Sequence, residues 1–396
     1  MTLISTPKKS VTCMVPYLFL ILAALGCDNH PVKVEILTID QKTKTLDLRV
    51  ATVKSVQNIG KLEGRATRLR GGISMELDYI EEVARWHRVG TPVAFNAIKS
   101  NGILYPADFN SLAMVSVYYN IEQAMLFFES IGMIPGELGR LDTYYWADVL
   151  EINYDDYGAI TREKGSNNAF YLALSQDDRG FYVMPFDLQD TQSAVDRVPL
   201  SMNPGVVTHE FAHAVFQHLV YDALPNGGKD LLPTPYNYLW ALNEGIADIF
   251  AIALTGDNDF ITASISNPGV QRNAAEFIEY DEFLDDHVQR AGDSFKNPYE
   301  IGSFISATVY EIARRFQPLP PNGPTRPALR ARKVVAKITY DTLAVLVNYG
   351  ADNFVPADFF SIFLTHPLIG PGRRQIVCDV LAERFKIHYD EVEGCQ

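Results

Sequence analysis

Basic runs are missing from this chain. Its 34 Lys and Arg face 48 Asp and Glu, for a formal charge of −14. A surface of that sign repels nucleic acid and anionic headgroups, which are thereby excluded as main partners. Internal repeats and low-complexity tracts are also absent, so neither a solenoid nor a disordered chain fits. Past residue 30 no apolar stretch is long enough to span a bilayer. Cysteine is scarce, with four in 396 residues. What remains is ordinary globular material, 47% hydrophobic and 21% charged, long enough for one large domain or two that share an interface.

The first residues differ from the rest. Lys8 and Lys9 precede the apolar run "VTCMVPYLFLILAALG", which reads as the n- and h-regions of a secretory signal. The run stops at Cys27, and "ALGC" resembles the lipobox of bacterial lipoproteins, with Ala24 where leucine is usual. The resemblance implies a signal peptide over 1–26, lipidation of Cys27, export, and a lipid-anchored place in the bacterial cell envelope. The alternative is a plain cleaved signal with an incidental cysteine. On the lipoprotein reading Cys13 leaves with the signal and Cys27 takes lipid, so Cys378 and Cys395 remain as an even pair, expected to form one disulfide that staples the C-terminal tail, with two free thiols as the alternative.

The periodicity changes along the mature chain. Between residues 31 and about 105, stretches such as "VKVEILTI" and "TLDLRVATV" alternate as strands do, with turn signals at Gly71, Gly72 and Pro92. "SLAMVSVYYNIEQAMLFFESIG" has helical spacing, "AFYLAL" and "GFYVMPF" read as short strands, and helices dominate from Pro204. "QPLPPNGPTRP" (317–327) is the clearest loop and sets off a terminal helical piece.

The chemistry concentrates in "VVTHEFAHAVFQHLV" (206–220). Asn203 and Pro204 suit a helix N-cap and first turn, and the apolar run ends near Pro225 and Gly227, which predicts one helix from 204 to about 222. His209 and His213 then share a face one turn apart. Two imidazoles so placed can ligate one zinc ion, with Glu210 beside them as a base for a bound water. His218 is turned away from the pair. In the metzincin pattern a glycine and a third histidine follow at fixed spacing, but those places hold Phe216 and Leu219. A carboxylate from a second helix is the remaining third ligand, and "ALNEGIADIF" offers Glu244 and Asp248 four apart on an otherwise apolar helix. Glu244 is assigned as the third ligand, and Asp248 as the carboxylate that orients a ligand histidine.

"HEFAH" followed by "NEGIAD" resembles the glutamate-zincin peptidases, in particular the thermolysin-like and fungalysin-like enzymes. Upstream, "NNAFY" (167–171) is similar to the edge strand over which those peptidases lay an extended substrate, and "SLAMVSVYYNIEQAMLFF" to the helix before it. The resemblance covers about residues 107 to 316. It implies an α+β, two-lobed zincin fold: a β-rich N-terminal lobe (27–203) with the substrate strand, a mainly helical C-terminal lobe (204–396), and the zinc helix between them. It also implies endopeptidase activity on protein or peptide substrates, one Zn2+, Glu210 as general base, and substrate contacts from Asn168 and the backbone of Ala169. Val206 matches a wall of the pocket for the residue after the scissile bond, and Arg272 an arginine that binds a substrate carbonyl.

Departures from the family narrow these expectations. Where it carries an oxyanion-stabilising histidine just before a glycine-bearing helix, "NPYEIGSFISATVYEIARRF" places Tyr299. His287, twelve residues earlier, is the alternative donor, and Tyr236 or Tyr238 could assist. Gly205 and Thr255 stand where thermolysin-like enzymes carry calcium-binding acids, so the paired calcium site is expected to be missing, and "YDEFLDD" (280–286) reads as a solvated charge run, with calcium binding as the alternative. Gln271 replaces a pocket-lining leucine. The competing reading is a surface-binding or scaffold lipoprotein that keeps the fold and no longer cuts.

Overall fold

A computed structural model describes residues 31–40, 43–78, 83–154, 159–173, 179–186, 198–228, 230–231, 233–265, 272–281, 297–317, 327–349, 351–386 and 388–395. The architecture is mixed α+β. All named strands lie between Val32 and Val183, and seven α-helices are present among the described residues: α1 (Phe109–Ile131), α2 (Pro204–Leu219), α3 (Pro233–Thr255), α4 (Asn297–Arg315), α5 (Leu329–Leu346), α6 (Pro356–Thr365) and α7 (Pro371–Arg384).

The alternating stretches pair as their pattern predicts. Val32–Asp40 and Thr45–Val53 form an antiparallel hairpin, and Val32–Asp40 also pairs in parallel with Ile103–Pro106. Its buried Val34, Ile36 and Ile39 face the core, and Ser116 of α1 accepts a hydrogen bond from the Leu37 N–H at 2.9 Å. A second sheet runs Ala169–Ala173, Arg179–Val183, Leu141–Tyr145, Thr67–Gly71, Glu63–Gly64, Val56–Asn58, so Ala169–Ala173 is an edge strand. A third joins Ile160–Lys164, Asp148–Tyr154, Ser74–Asp78 and Val83–Arg88. Leu141–Tyr145, Asp148–Tyr154 and Ile160–Lys164 are strands that the sequence pattern does not flag.

Local chemistry sets the helix ends. Asp108 caps α1 by accepting from the Ser111 N–H at 2.6 Å, and Gly132 closes it at φ 135°, a conformation that favours glycine. Asn203 caps α2 through the Gly205 N–H at 2.9 Å, with Pro204 at the first helical position. α2 ends at Leu219, short of the expected 222, because Tyr221–Ala223 tightens into a 3₁₀ turn.

The underside of α2 is fixed by aromatic packing. Phe211 stacks on Phe128 of α1 at 5.4 Å between ring centroids and on Phe181 at 5.8 Å, while Phe128 meets Phe250 of α3 at 4.6 Å. One layer of rings thus joins α1, α2, α3 and the strand beside the edge strand. α3 and α4 touch through glycine: a Cβ on Gly245 would lie 2.6 Å from the Gly302 carbonyl oxygen, so the helices can approach this closely only without side chains there. Cys378 and Cys395 are disulfide-bonded with Cα atoms 5.4 Å apart, as the cysteine count suggests. Residues 1–26 and Cys27 lie outside the described residues, as does most of the 317–327 loop. No described helix is long and apolar enough to cross a membrane.

Candidate metal centre

The 3.6-residue period of α2 brings His209 and His213 onto one face, with Nε2 atoms 3.0 Å apart. From α3, Glu244 reaches the same point: its carboxylate oxygens lie 3.4 Å from His209 Nε2 and 3.8 Å from His213 Nε2. Donors about 2.0–2.1 Å from a tetrahedral ion stand about 3.3–3.4 Å from one another, so these separations bracket what a four-coordinate metal needs. His209 and Glu244 are buried at the floor of a cleft, where polar groups need partners. The donor set therefore fits a divalent metal with two nitrogens and one carboxylate.

The other ring nitrogens are held from behind. His209 Nδ1 is 2.8 Å from Asp248 Oδ1, and His213 Nδ1 is 2.9 Å from Asn243 Oδ1. Asn243 Oδ1 accepts a hydrogen bond from His213 Nδ1–H and Asp248 stands at ion-pair distance behind His209, so both rings turn Nε2 toward the shared point. Asp248 lies behind His209. Asn243 was missed; the signal for it is weak, a single amide next to Glu244 in an apolar helix.

His209, Glu210 and His213 also offer atoms that lie within 4.8 Å of one another. Of the two glutamates Glu244 is the better ligand, because Glu210 is engaged elsewhere: its Oε2 accepts the Tyr171 N–H at 2.7 Å. That bond ties it to the edge strand Ala169–Ala173. N–H groups along a strand alternate in direction, so residues 169, 171 and 173 turn the same edge toward α2. The Ala169 N–H is taken up by Asn168 Oδ1 at 2.8 Å.

A cleft of about 450 Å³ opens over these groups. Asn168, Ala169, Val206, Arg272 and Tyr299 all line it, together with Leu200, Phe260 and Ile261, which the sequence reading did not single out. Val206, Leu200, Phe260 and Ile261 form one buried apolar cluster beside the histidines. Tyr236 and Tyr238 are not part of the lining, and Tyr238 is buried in the main core. His218 faces outward, 3.8 Å from Glu137. His287, Gln271 and residues 282–286 lie outside the described residues. Where calcium-binding acids would stand, Gly205 lies under the Phe260 ring and Thr255 donates its hydroxyl to the Ala251 carbonyl.

Arg272 is more deeply engaged than a residue waiting for a carbonyl. Its Nη1 lies 3.2 Å from Glu244 Oε2 and 3.3 Å from Asp248 Oδ1, and its guanidinium sits 4.5 Å from the Tyr299 ring centroid. These contacts shape the electrostatics. Burial pushes the Glu244 carboxyl up, but His213, His209 and Arg272 together outweigh it and bring the group to about 2. Burial pulls the His209 imidazole down, yet its hydrogen bonds to Asp248 and Glu244 win and raise it to about 9. For Tyr299 burial, reinforced by Glu244, pushes the hydroxyl up, so it stays a neutral donor. No family model and no curated protein matches the chain.

Proposed function

We propose that the protein is a zinc-dependent endopeptidase of the glutamate-zincin type, with the two-lobed fold of thermolysin-like and fungalysin-like enzymes, exported and anchored through a lipidated Cys27. The observation that carries this reading is the meeting of three ligand atoms from two helices, with a fourth side chain, Glu210, facing the same cleft from a bond to an edge strand. His209, His213 and Glu244 would hold the ion. Zinc so bound supplies Lewis acidity, acidifying a water and polarising a carbonyl.

The chain's own groups account for the rest. A peptide laid along Ala169–Ala173 as an added strand would present a carbonyl to the centre, with Asn168 and the Ala169 backbone as anchors. Glu210 takes the proton from the attacking water and passes it to the leaving amine, and its bond to the Tyr171 N–H holds the carboxylate in place for both transfers. The Tyr299 hydroxyl donates to the developing oxyanion. Arg272, set against Glu244 and Asp248, braces the ligand carboxylate and offers its remaining N–H groups to the peptide.

Purified full-length protein should cut an unstructured protein in a chelator-sensitive way, and Glu210→Gln should lose that activity by orders of magnitude. A Glu210→Gln variant as active as wild type would remove the mechanism. Complete inactivity of the zinc-loaded wild type would favour a binding or scaffold protein.

A further inference from the structure

Val32–Asp40 and Thr45–Val53 pair along their whole length with no shift of register, and Thr45–Val53 is the outermost strand of its sheet. No described strand takes up the N–H and C=O groups on its other side. Open edges of this kind recruit further strands, and proteins blunt them with proline, lysine or a bulge. The nine residues "TLDLRVATV" contain none of the three. Most of the strand is open to solvent: Leu48 is 54% exposed and Val50 46%, and Asp47 and Arg49 are exposed as well. The two charges are opposite in sign and two residues apart, and they decide which partner suits the edge.

Side chains along a strand alternate between its faces. The Arg49 guanidinium lies 6.0 Å from the centre of the Tyr119 ring in α1, so Arg49 and Asp47 share the face turned to that helix, and Leu46, Leu48 and Val50 share the other. One partner covers the apolar row and matches the charges at the same time: the same strand of a second copy, laid antiparallel across a twofold axis. With the axis at Leu48, Leu48 meets its own counterpart, Leu46 meets Val50 of the second copy, and Asp47 meets Arg49 of the second copy, each pair occurring twice except the central one. Moving the axis by one residue sets Asp47 against Asp47 or Arg49 against Arg49, and like charges directly opposite are unfavourable. The pattern thus selects a single register. The charge of −14 on each chain repels at long range, but salt screens that beyond about 8 Å at physiological ionic strength and leaves the strand contacts to decide. Because the same patch serves on both copies, the contact closes at two chains.

We propose that the protein forms a twofold dimer through Thr45–Val53, centred on Leu48, which joins the four-stranded sheets of two copies into one continuous sheet. This does not depend on the peptidase reading.

Cysteine cross-linking of the full-length chain tests the register. Directly opposed side chains have Cβ atoms about 4.5–5.5 Å apart, close enough for a disulfide after a small adjustment, whereas Leu46 and its own counterpart stand four residues out of step, about 13 Å apart. Under mild oxidation Leu48→Cys should run mostly as a dimer on a non-reducing gel, and Leu46→Cys and wild type as monomers. In the Leu48→Cys background Asp47→Arg should lower the dimer yield about tenfold, and adding Arg49→Asp should restore it. Sedimentation of wild type in detergent should give the mass of two chains. A wild type with the mass of one chain would overturn the proposal, as would absence of a Leu48→Cys dimer, equal cross-linking of Leu46→Cys, or a yield that Asp47→Arg leaves unchanged. Should a charge variant fail to fold, the wild-type mass and the contrast between Leu48→Cys and Leu46→Cys decide.

Discussion

His209 and Glu244 stabilise each other's charged forms against burial, and this makes the metal-free protein sensitive to pH in a defined direction. His209 is raised from its ordinary value of 6.5 to about 9, so its contribution is complete below about pH 6.5 and disappears as pH rises through 9. Glu244 is lowered from 4.5 to about 2, so its contribution is complete above about 4.5 and disappears as pH falls through 2. Urea midpoints of chelated protein should therefore be highest between about pH 4.5 and 6.5 and fall toward pH 9.5; a midpoint that climbs over that alkaline range would contradict the pairing. Tyr299 carries a second expectation. Tyr299→Phe keeps the ring against Arg272 but removes the hydroxyl, and should lower kcat by roughly 10²-fold with zinc retained, the usual effect of losing one oxyanion donor. Its raised pKa means that wild-type activity should persist further into the alkaline range than a histidine donor allows; a decline near pH 7 would point to His287 instead. The pairs His209/His213 and Glu244/Asp248 were legible because helical periodicity converts i, i+4 spacing into a shared face, and Glu210 as the residue beside the first histidine. Asn243 was not, since its contact with His213 is tertiary and no local spacing encodes it.

Between elements, the glycine crossing of α3 and α4 is a close approach that brings Tyr299 and Glu244 to the same cleft. A Cβ at Gly302 would lie 2.9 Å from the Gly245 nitrogen and 3.0 Å from Glu244 Cβ. Gly302→Ala should thus force the helices apart, costing roughly 1–3 kcal/mol of stability and weakening metal affinity through the displaced Glu244. Urea unfolding together with a zinc competition titration checks this, and unchanged values in both would show that the crossing has slack. The helices were readable from the sequence because their caps and apolar spacing are local. The strands from Leu141 to Lys164 were harder. Leu141–Tyr145 pairs in parallel with a strand on each side and is mostly buried, so it lacks the alternation that marks a one-sided strand. The strand Ala169–Ala173 was readable, and its place at the end of the sheet comes from long-range pairing.

For the molecule as a whole, a charge of −14 leaves anionic headgroups an unfavourable partner, so the proposed attachment to a membrane would rest on Cys27 alone. Cys27→Ala should free the protein from the membrane fraction or stop its processing, and lipid-free wild type beside a still-bound variant would show that "ALGC" is incidental. The central claim concerns the two helices and the ion they would share. Metal analysis and turnover, measured side by side on wild type, Glu210→Gln and Glu244→Ala, test it most directly. The account predicts one zinc per chain in wild type and in inactive Glu210→Gln, and loss of most zinc and all activity in Glu244→Ala. Full zinc in Glu244→Ala, or undiminished cleavage by Glu210→Gln, would contradict it.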